Sequence, residues 1–184
     1  MRTFIALEFP ENVRAEIFHA FEGLKKSGSC YGSFVEKENL HMTLSFLGEI
    51  SEEKSEAVKK ILGEIDFQKF PIEIGKVGFF PNEHYIKVIW LEIVSSEIAN
   101  LKKEIEIRLS KEGFSFTDAE FIPHLTVARI KGIKAKSKFF EEIEKIKVPK
   151  IFFISEDFAF MKSILKGKSP EYKVIEKYGM RIRG

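Results

Sequence analysis

The chain has 184 residues, of which 44% are hydrophobic, and its formal net charge is +2. This composition fits one domain or two tightly joined lobes with a substantial core, and so small a charge argues against a broad nucleic-acid-binding surface. The charges come largely from Lys and Glu beside a single glutamine, Gln68, a usage typical of thermophiles. The single cysteine, Cys30, and the absence of a signal peptide or membrane-length apolar run predict a soluble, cytoplasmic protein.

Hydrophobic periodicity predicts strands and helices in alternation along the chain. The predicted strands cover 3–9, 41–46, 70–79, 85–93, 124–127, 151–161 and 172–177. The predicted helices begin at Pro10, at Ser51, at Ser95 or Ser96 and at Phe139. The first of these helices runs through Leu24 and the third ends at Gly113. Separate strand and helix runs of this kind indicate an α+β fold with mixed or antiparallel sheets.

One four-residue pattern occurs twice, as His41-Met42-Thr43-Leu44 and as His124-Leu125-Thr126-Val127. Because residues two apart in a strand project from the same face, roughly 6–7 Å from each other, each histidine is expected beside its threonine. Nearly half the chain separates the two copies, and no linker rich in Pro, Gly or Ser divides the sequence. We therefore expect one bilobal domain over 1–184, with approximate halves 1–93 and 94–184 and a paired site between them.

The chemistry that suits this pair is phosphoester cleavage or formation without a metal. An imidazole with an ordinary pKa of about 6.5 serves as base or acid near neutrality, so two imidazoles can deprotonate a nucleophile and protonate a leaving oxygen. The hydroxyls of Thr43 and Thr126 can donate to the phosphoryl oxygens, where charge shifts in the transition state. A single His-x-Thr is usually a half-buried polar face, but two copies in matching strands favour a site.

Other kinds of site find little support in the sequence. There is no Gly-rich phosphate loop and no His/Cys cluster, and each His-x-Thr supplies one metal ligand without a suitably spaced carboxylate, so we expect neither metal nor cofactor. His19, in a predicted helix, and His84, in a predicted turn, do not share the pattern. The phenylalanines are mostly expected in the core, with Phe9 as a candidate for stacking on a terminal base.

Further segments extend the pattern around the two motifs. They are Arg2 to Leu7, Asn39 to Gly48, Gly78 to Pro81 with Val88 to Leu91, Phe121 to Arg129, and more weakly Ser163, Leu165 and Tyr172. With these segments, nearly the whole chain resembles the two-His (2H) phosphoesterases. Within that group it is similar to the bacterial and archaeal RNA 2′,3′-cyclic phosphodiesterases, also called 2′-5′ RNA ligases.

The resemblance implies a bilobal 2H-phosphoesterase fold, in which two pseudo-symmetric lobes with mostly antiparallel sheets face a central cleft and helices lie outside. It also implies a substrate, an RNA such as a tRNA fragment that ends in a 2′,3′-cyclic phosphate, which water opens to a 2′-phosphate. By similarity, His41 is the proton donor and His124 the proton acceptor, although the near-symmetry of the motifs leaves this open from the residues alone. The same pair can join a 5′-hydroxyl to the cyclic phosphate in a 2′-5′ bond.

Arg129 is a further candidate for substrate binding, because a guanidinium suits phosphate recognition and the family carries an arginine at this offset from the second histidine. Strict alternation of the strand places Arg129 on the face opposite His124. It reaches the cleft if the strand bends or ends near Ala128, and otherwise it is an ordinary surface residue.

Two other functions stay open at the level of the sequence. One is a binding module that holds an RNA end or a nucleotide without turnover, and the other is a phosphodiesterase acting on small cyclic nucleotides. The doubled imidazoles favour an enzyme, because a mere phosphate pocket more naturally uses Lys, Arg and backbone amides. We expect a monomer in each case.

Overall fold

A computed structural model of the protein describes residues 1–117, 120–148, 150–166 and 169–182. The strands of this part of the chain are β1 (Arg2–Glu8), β2 (Cys30–Phe34), β3 (His41–Glu49), β4 (Phe70–Asn82), β5 (Tyr85–Val94), β6 (His124–Ile133), β7 (Phe152–Ser155), β8 (Asp157–Lys166) and β9 (Ser169–Gly179). The α-helices are α1 (Glu11–Ala20), α2 (Glu22–Ser27), α3 (Glu52–Gly63), α4 (Ile98–Ser110) and α5 (Lys136–Lys145). None of the described helices is both long enough and apolar enough to span a bilayer.

The strands form two sheets, and every neighbouring pair within them is antiparallel. The first sheet has the order β3-β1-β8-β9, and the second has the order β2-β6-β5-β4-β7. The predicted α+β class with antiparallel sheets is therefore confirmed. Each sheet takes strands from both 1–93 and 94–184, because β8 and β9 complete the first sheet while β2 and β4 join β6 and β7 in the second.

The helices pack against the sheets and share one continuous apolar core with them. α2 lies beside β2, α3 beside β9 and α4 beside β3. Leu24 of α2, Leu62 of α3 and Ile105 of α4 are among the fully buried residues of this core. Cα atoms of β3 and β6 come within 8 Å of one another, so the two sheets meet along the strands that begin with the motif histidines.

The helix predictions are right in position but differ from the structure at the ends. The first predicted helix is interrupted at Phe21, which ends α1 and precedes α2. Ser51 caps α3 as predicted, its hydroxyl accepting from the Lys54 backbone N–H at 3.2 Å. The prediction that Ser95 or Ser96 caps α4 is wrong, because Glu97 occupies the N-cap and makes no side-chain capping bond. The helix itself ends at Ser110, three residues before Gly113.

Two strand predictions need correction. The apolar run 151–161 reads as one strand, but Glu156 divides it into β7 and β8, which belong to different sheets. The Glu156 carbonyl accepts from the Met180 backbone N–H at 2.7 Å, which anchors the crossover. Strand β2 is not predicted, because its sequence contains Gly and Ser and three of its five residues are exposed, which hides the alternation.

Candidate active site

The two histidines begin two strands, His41 in β3 and His124 in β6. In each strand the histidine and threonine are partly exposed, while the intervening Met42 and Leu125 are fully buried. The predicted placement of each His beside its Thr on the face away from the core is therefore confirmed. The structure puts two matching acid/base and hydroxyl pairs on strands that approach each other from different sheets.

Both imidazole rings are oriented by the same backbone contact. Nδ1 of His41 lies 2.7 Å from the carbonyl oxygen of Asn39, and Nδ1 of His124 lies 2.8 Å from that of Ile122. A carbonyl can only accept a hydrogen bond, so Nδ1 must carry the proton in both rings. In the neutral ring the lone pair is then on Nε2, which is left to accept a proton from a bound molecule.

Aromatic rings surround both imidazoles. His41 lies 4.9 Å from the Tyr172 ring and 5.1 Å from the Phe4 ring, measured between centroids. His124 contacts Phe80 at 5.0 Å, with the two rings nearly perpendicular. These rings exclude water from one side of each histidine, and burial accordingly lowers the pKa of both imidazoles below its ordinary value.

The charges around His41 show which side chains share its site. After burial, the Asn39 carbonyl and the Glu8 carboxylate raise the pKa of His41, while the positive charges of Arg129 and protonated His124 lower it. Arg129 also lowers the pKa of His124. Arg129 therefore lies close enough to act electrostatically on both histidines, although His41 belongs to one sheet and His124 to the other.

A β-bulge brings Arg129 to the site. Ala128 pairs with Ile89 and Thr126 with Trp90, so Val127 is an extra residue in β6. Val127 and Ala128 are both buried, and the alternation resumes with Arg129 exposed on the face of His124. A bulge re-aims the side chains beyond it, and the strict alternation assumed for the sequence fails for this reason. The register shift at Val127, rather than strict alternation, thus puts Arg129 on the face that carries His124.

The same bulge occurs in β3 and points to a residue that the sequence analysis missed. Thr43 pairs with Ala6 and Ser45 with Ile5, so Leu44 is the extra residue. Ser45 is buried, and Phe46 emerges on the His41 face with 65% of its surface exposed. Phe46 follows His41 by five residues, as Arg129 follows His124. That shared offset is the signal that could have identified it.

Phe9, the predicted stacking residue, is buried in the core with 3% of its surface exposed. Its ring packs edge-on against Phe153 at 5.4 Å, so it is not available to a nucleobase. The interpretation of Phe9 as a cleft residue is wrong, because Phe9 follows the end of β1 and its side chain belongs to the hydrophobic core.

A glutamate stands opposite each histidine on the neighbouring strand, and sequence reasoning missed both. Glu8 of β1 pairs with His41, and Glu92 of β5 pairs with His124. Lys177 holds the Glu8 carboxylate at 2.6 Å. Glu92 instead packs over Gly75, where an added Cβ would come within 2.7 Å of its carboxylate oxygen. In the described part of the chain, no group of three or more His, Cys, Asp or Glu side chains is arranged to hold a metal ion.

Comparison with known proteins identifies the family. The model described as "LigT like Phosphoesterase" matches residues 7–90 and again residues 91–172, so that each match contains one His-x-Thr motif. The chain belongs to the LigT-like phosphoesterase family.

Relatives of this LigT-like phosphoesterase match along nearly its whole length. A Methanocaldococcus jannaschii protein named RNA 2′,3′-cyclic phosphodiesterase is 39% identical over 180 residues, covering 97% of this chain and 100% of the relative. A protein of the same name from Archaeoglobus fulgidus is 36% identical over 183 residues, covering 94% and 97%.

Solved structures show the same fold. A protein from Thermus thermophilus superposes with a TM-score of 0.81 at 27% identity, covering all of both chains. Escherichia coli LigT complexed with 3′-AMP superposes with a TM-score of 0.77 at 23% identity, covering 97% of each chain. The bilobal fold expected from the sequence is thereby confirmed for this LigT-like phosphoesterase.

Proposed function

We propose that this protein is an RNA 2′,3′-cyclic phosphodiesterase, which opens a terminal 2′,3′-cyclic phosphate to a 2′-phosphate without a metal. The observation that carries the proposal is the matched pair of imidazoles, each fixed at Nδ1 by a backbone carbonyl and each presenting Nε2. The names of the relatives that match along nearly the whole chain support the substrate class. One imidazole per side of a bound phosphate suits an in-line displacement.

In this mechanism His124 is the base and His41 the acid. Nε2 of neutral His124 takes a proton from water as the water oxygen attacks phosphorus. The bond from phosphorus to the 3′ oxygen breaks, and protonated His41 gives its Nε2 proton to that oxygen, which leaves a 2′-phosphate and a 3′-hydroxyl. Glu8 supports this assignment, because its charge offsets part of the lowering that burial causes in the pKa of His41.

The remaining site residues bind the phosphate. Thr43 and Thr126 lie on the same faces as the two histidines, so their hydroxyls can donate to the two non-bridging oxygens. Arg129 lies on the His124 face beyond the bulge, and its guanidinium can bind the charge that develops on those oxygens. A 5′-hydroxyl in place of water would form a 2′-5′ bond at the same site, which is the ligase reaction.

The first test is incubation of the protein, with a chelator present, with an oligoribonucleotide ending in a 2′,3′-cyclic phosphate. We expect a terminal 2′-phosphate, and we expect His41→Ala and His124→Ala each to reduce its rate of formation about 10²- to 10⁴-fold. His84→Ala is the matched control, because His84 is exposed in the β4–β5 turn. Binding of the RNA without product would instead indicate a binding module, and turnover of small cyclic nucleotides alone would indicate the other alternative.

The protein's state in the cell is also part of the proposal. We expect a monomer that acts in the cytoplasm on RNA ends, including those of tRNA fragments. The free thiol of Cys30 is buried, which suits a reducing compartment. Light scattering coupled to size-exclusion chromatography measures the molar mass, and a value near 21.3 kDa is expected for the monomer.

A further inference from the structure

The face of the second sheet that carries His124 continues past Arg129 into a surface of lysines and tyrosines. In β6, the stretch from Arg129 to Ile133 runs antiparallel beside Cys30 to Ser33 of β2. On the other side Arg129 pairs with Val88 of β5, and Tyr85 to Lys87 directly precede Val88 in that strand. These stretches contain no acidic residue. The surface leads directly away from the candidate active site.

Two lysine–tyrosine pairs form the sides of this surface. Lys87 lies over the Tyr85 ring, 4.4 Å from its centroid, and Lys134 lies over the Tyr31 ring at 5.7 Å. Both rings are well exposed, Tyr85 at 60% and Tyr31 at 50%. A further bulge, at Lys87, turns this residue and Tyr85 to the exposed side, while Ile86 between them is buried.

Lys131 and Gly132 occupy the middle of the surface. Lys131 is exposed two residues beyond Arg129 on the same strand. Gly132 has no side chain, and a Cβ there would come 2.6 Å from the Tyr31 ring, so the glycine lets this ring lie close to the backbone of β6. This surface thus carries four positive side chains, those of Arg129, Lys131, Lys87 and Lys134. The formal net charge of the whole chain is only +2.

We infer that this surface, formed by Tyr31, Lys134, Lys131, Lys87 and Tyr85 beyond Arg129, is a track for the nucleotides that precede the cyclic phosphate in a single-stranded RNA. Lysines suit the phosphates of a single strand, and tyrosine rings suit stacking on bases without regard to sequence. From Arg129 to Ile133 the strand spans about 13 Å, enough for a few nucleotides and too short for a long polymer.

This inference rests on the proposed function and deepens it, because it makes a short RNA a better substrate than a mononucleotide. The test compares two substrates, a hexaribonucleotide ending in a 2′,3′-cyclic phosphate and cytidine 2′,3′-cyclic phosphate. For the double variant K87A/K131A we expect kcat/KM to fall about tenfold for the hexamer and to stay unchanged for the nucleotide. The dependence of hexamer kcat/KM on salt should become shallower, by about 0.7 in logarithmic slope for each phosphate that no longer pairs with a lysine.

Lys103→Ala is the control, since Lys103 is also an exposed lysine and lies on α4, and it should change kcat/KM for neither substrate. Tyr85→Ala should lower kcat/KM for the hexamer alone, which separates stacking from charge. If the parent enzyme opens both substrates but the variants affect the two alike, or affect neither, the track is overturned while the proposed function stands. A parent enzyme that opens neither substrate overturns both.

Discussion

At the scale of single residues, the two histidines differ in the glutamates that stand opposite them. Glu8 and Glu92 hold equivalent places opposite His41 and His124, yet the charge of Glu8 raises the pKa of its histidine, and Glu92 packs over Gly75. A residue outside both motifs therefore makes the surroundings of the two histidines unequal, and the acid and base roles proposed above build on that difference.

This asymmetry predicts a pH effect. Burial places the pKa of both imidazoles below the ordinary 6.5, so the free enzyme loses its protonated donor as the pH rises, and kcat/KM should fall on the alkaline side of a maximum below pH 6.5. Glu8→Gln removes a negative charge that favours protonated His41, so the alkaline limb should move to lower pH. Because the two histidines interact, the limbs of the pH profile report the pair and not either histidine alone. Glu92→Gln is the matched control, because Glu92 stands opposite His124 as Glu8 stands opposite His41. If the alkaline limb of the kcat/KM profile stays at the same pH in Glu8→Gln, Glu8 has no part in the proposed mechanism.

Phe46 leads to a second prediction at this scale. Its ring is exposed beside His41 and Thr43, at the position that Arg129 holds beside His124. Stacking on a base contributes about 1–3 kcal/mol, so Phe46→Ala should raise the KM for nucleoside 2′,3′-cyclic phosphates by roughly 5- to 150-fold, with little dependence on the base. Phe152→Ala is the control, because Phe152 is 63% exposed on β7. Equal KM values for Phe46→Ala and the parent enzyme would contradict a stacking role.

At the scale of the elements, the two serine caps predicted from the sequence give a direct comparison. The Ser51 hydroxyl caps α3, so Ser51→Ala should lower the free energy of unfolding by about 1 kcal/mol. Ser96 has the same residue type before a helix, but its hydroxyl bonds the Glu97 side chain at the surface, so Ser96→Ala should change stability by less than about 0.5 kcal/mol. Urea unfolding measures both. An equal loss of unfolding free energy in the two variants would show that the Ser51 hydroxyl does not stabilise α3 as a cap.

Sequence patterns predict an element well when its own residues determine it. They predict it poorly when it also depends on how a neighbouring strand pairs with it. The alternation at the start of the two histidine strands reports burial on one face and can be read correctly from the residues themselves, whereas β1 is buried on both faces from Thr3 to Leu7. The bulges at Leu44 and Val127 cannot be read in this way, because an extra residue exists only relative to the register of the neighbouring strand. Phe46 and Arg129 depend on those bulges, so the sequence analysis misses the first and leaves the second open.

The division of 151–161 escapes prediction for a related reason. Its apolar residues are compatible with a strand in either sheet. Their order does not indicate that β7 pairs with β4 while β8 pairs with β1. The change of sheet at Glu156 depends on contacts with Met180 and with residues near Phe70. Periodicity describes the environment of a side chain, and here only Ser155, Glu156 and Asp157 separate the apolar residues of two strands.

At the scale of the whole molecule, each half of the sequence contains one motif, but each sheet is built from strands of both halves. The two matches to the family model fall on 7–90 and 91–172, whereas the first sheet combines β1 and β3 with β8 and β9. Long-range strand pairs of this kind close large loops, which slows folding. The candidate site consequently depends on both ends of the sequence, since Phe4 and Tyr172 both contact the His41 ring.

The position of β1 between β3 and β8 has a consequence for the newly made protein. β1 is synthesised before β8, but Phe4 pairs with Met161, so one side of β1 has no neighbouring strand until β8 has been made. Chains emerge at about 5–20 residues per second, and for most of that time His41 lacks the Tyr172 ring that covers it. A chain that has not yet reached Tyr172 thus carries both histidines without one of the rings that contact His41, and the candidate site is completed only when β9 is in place.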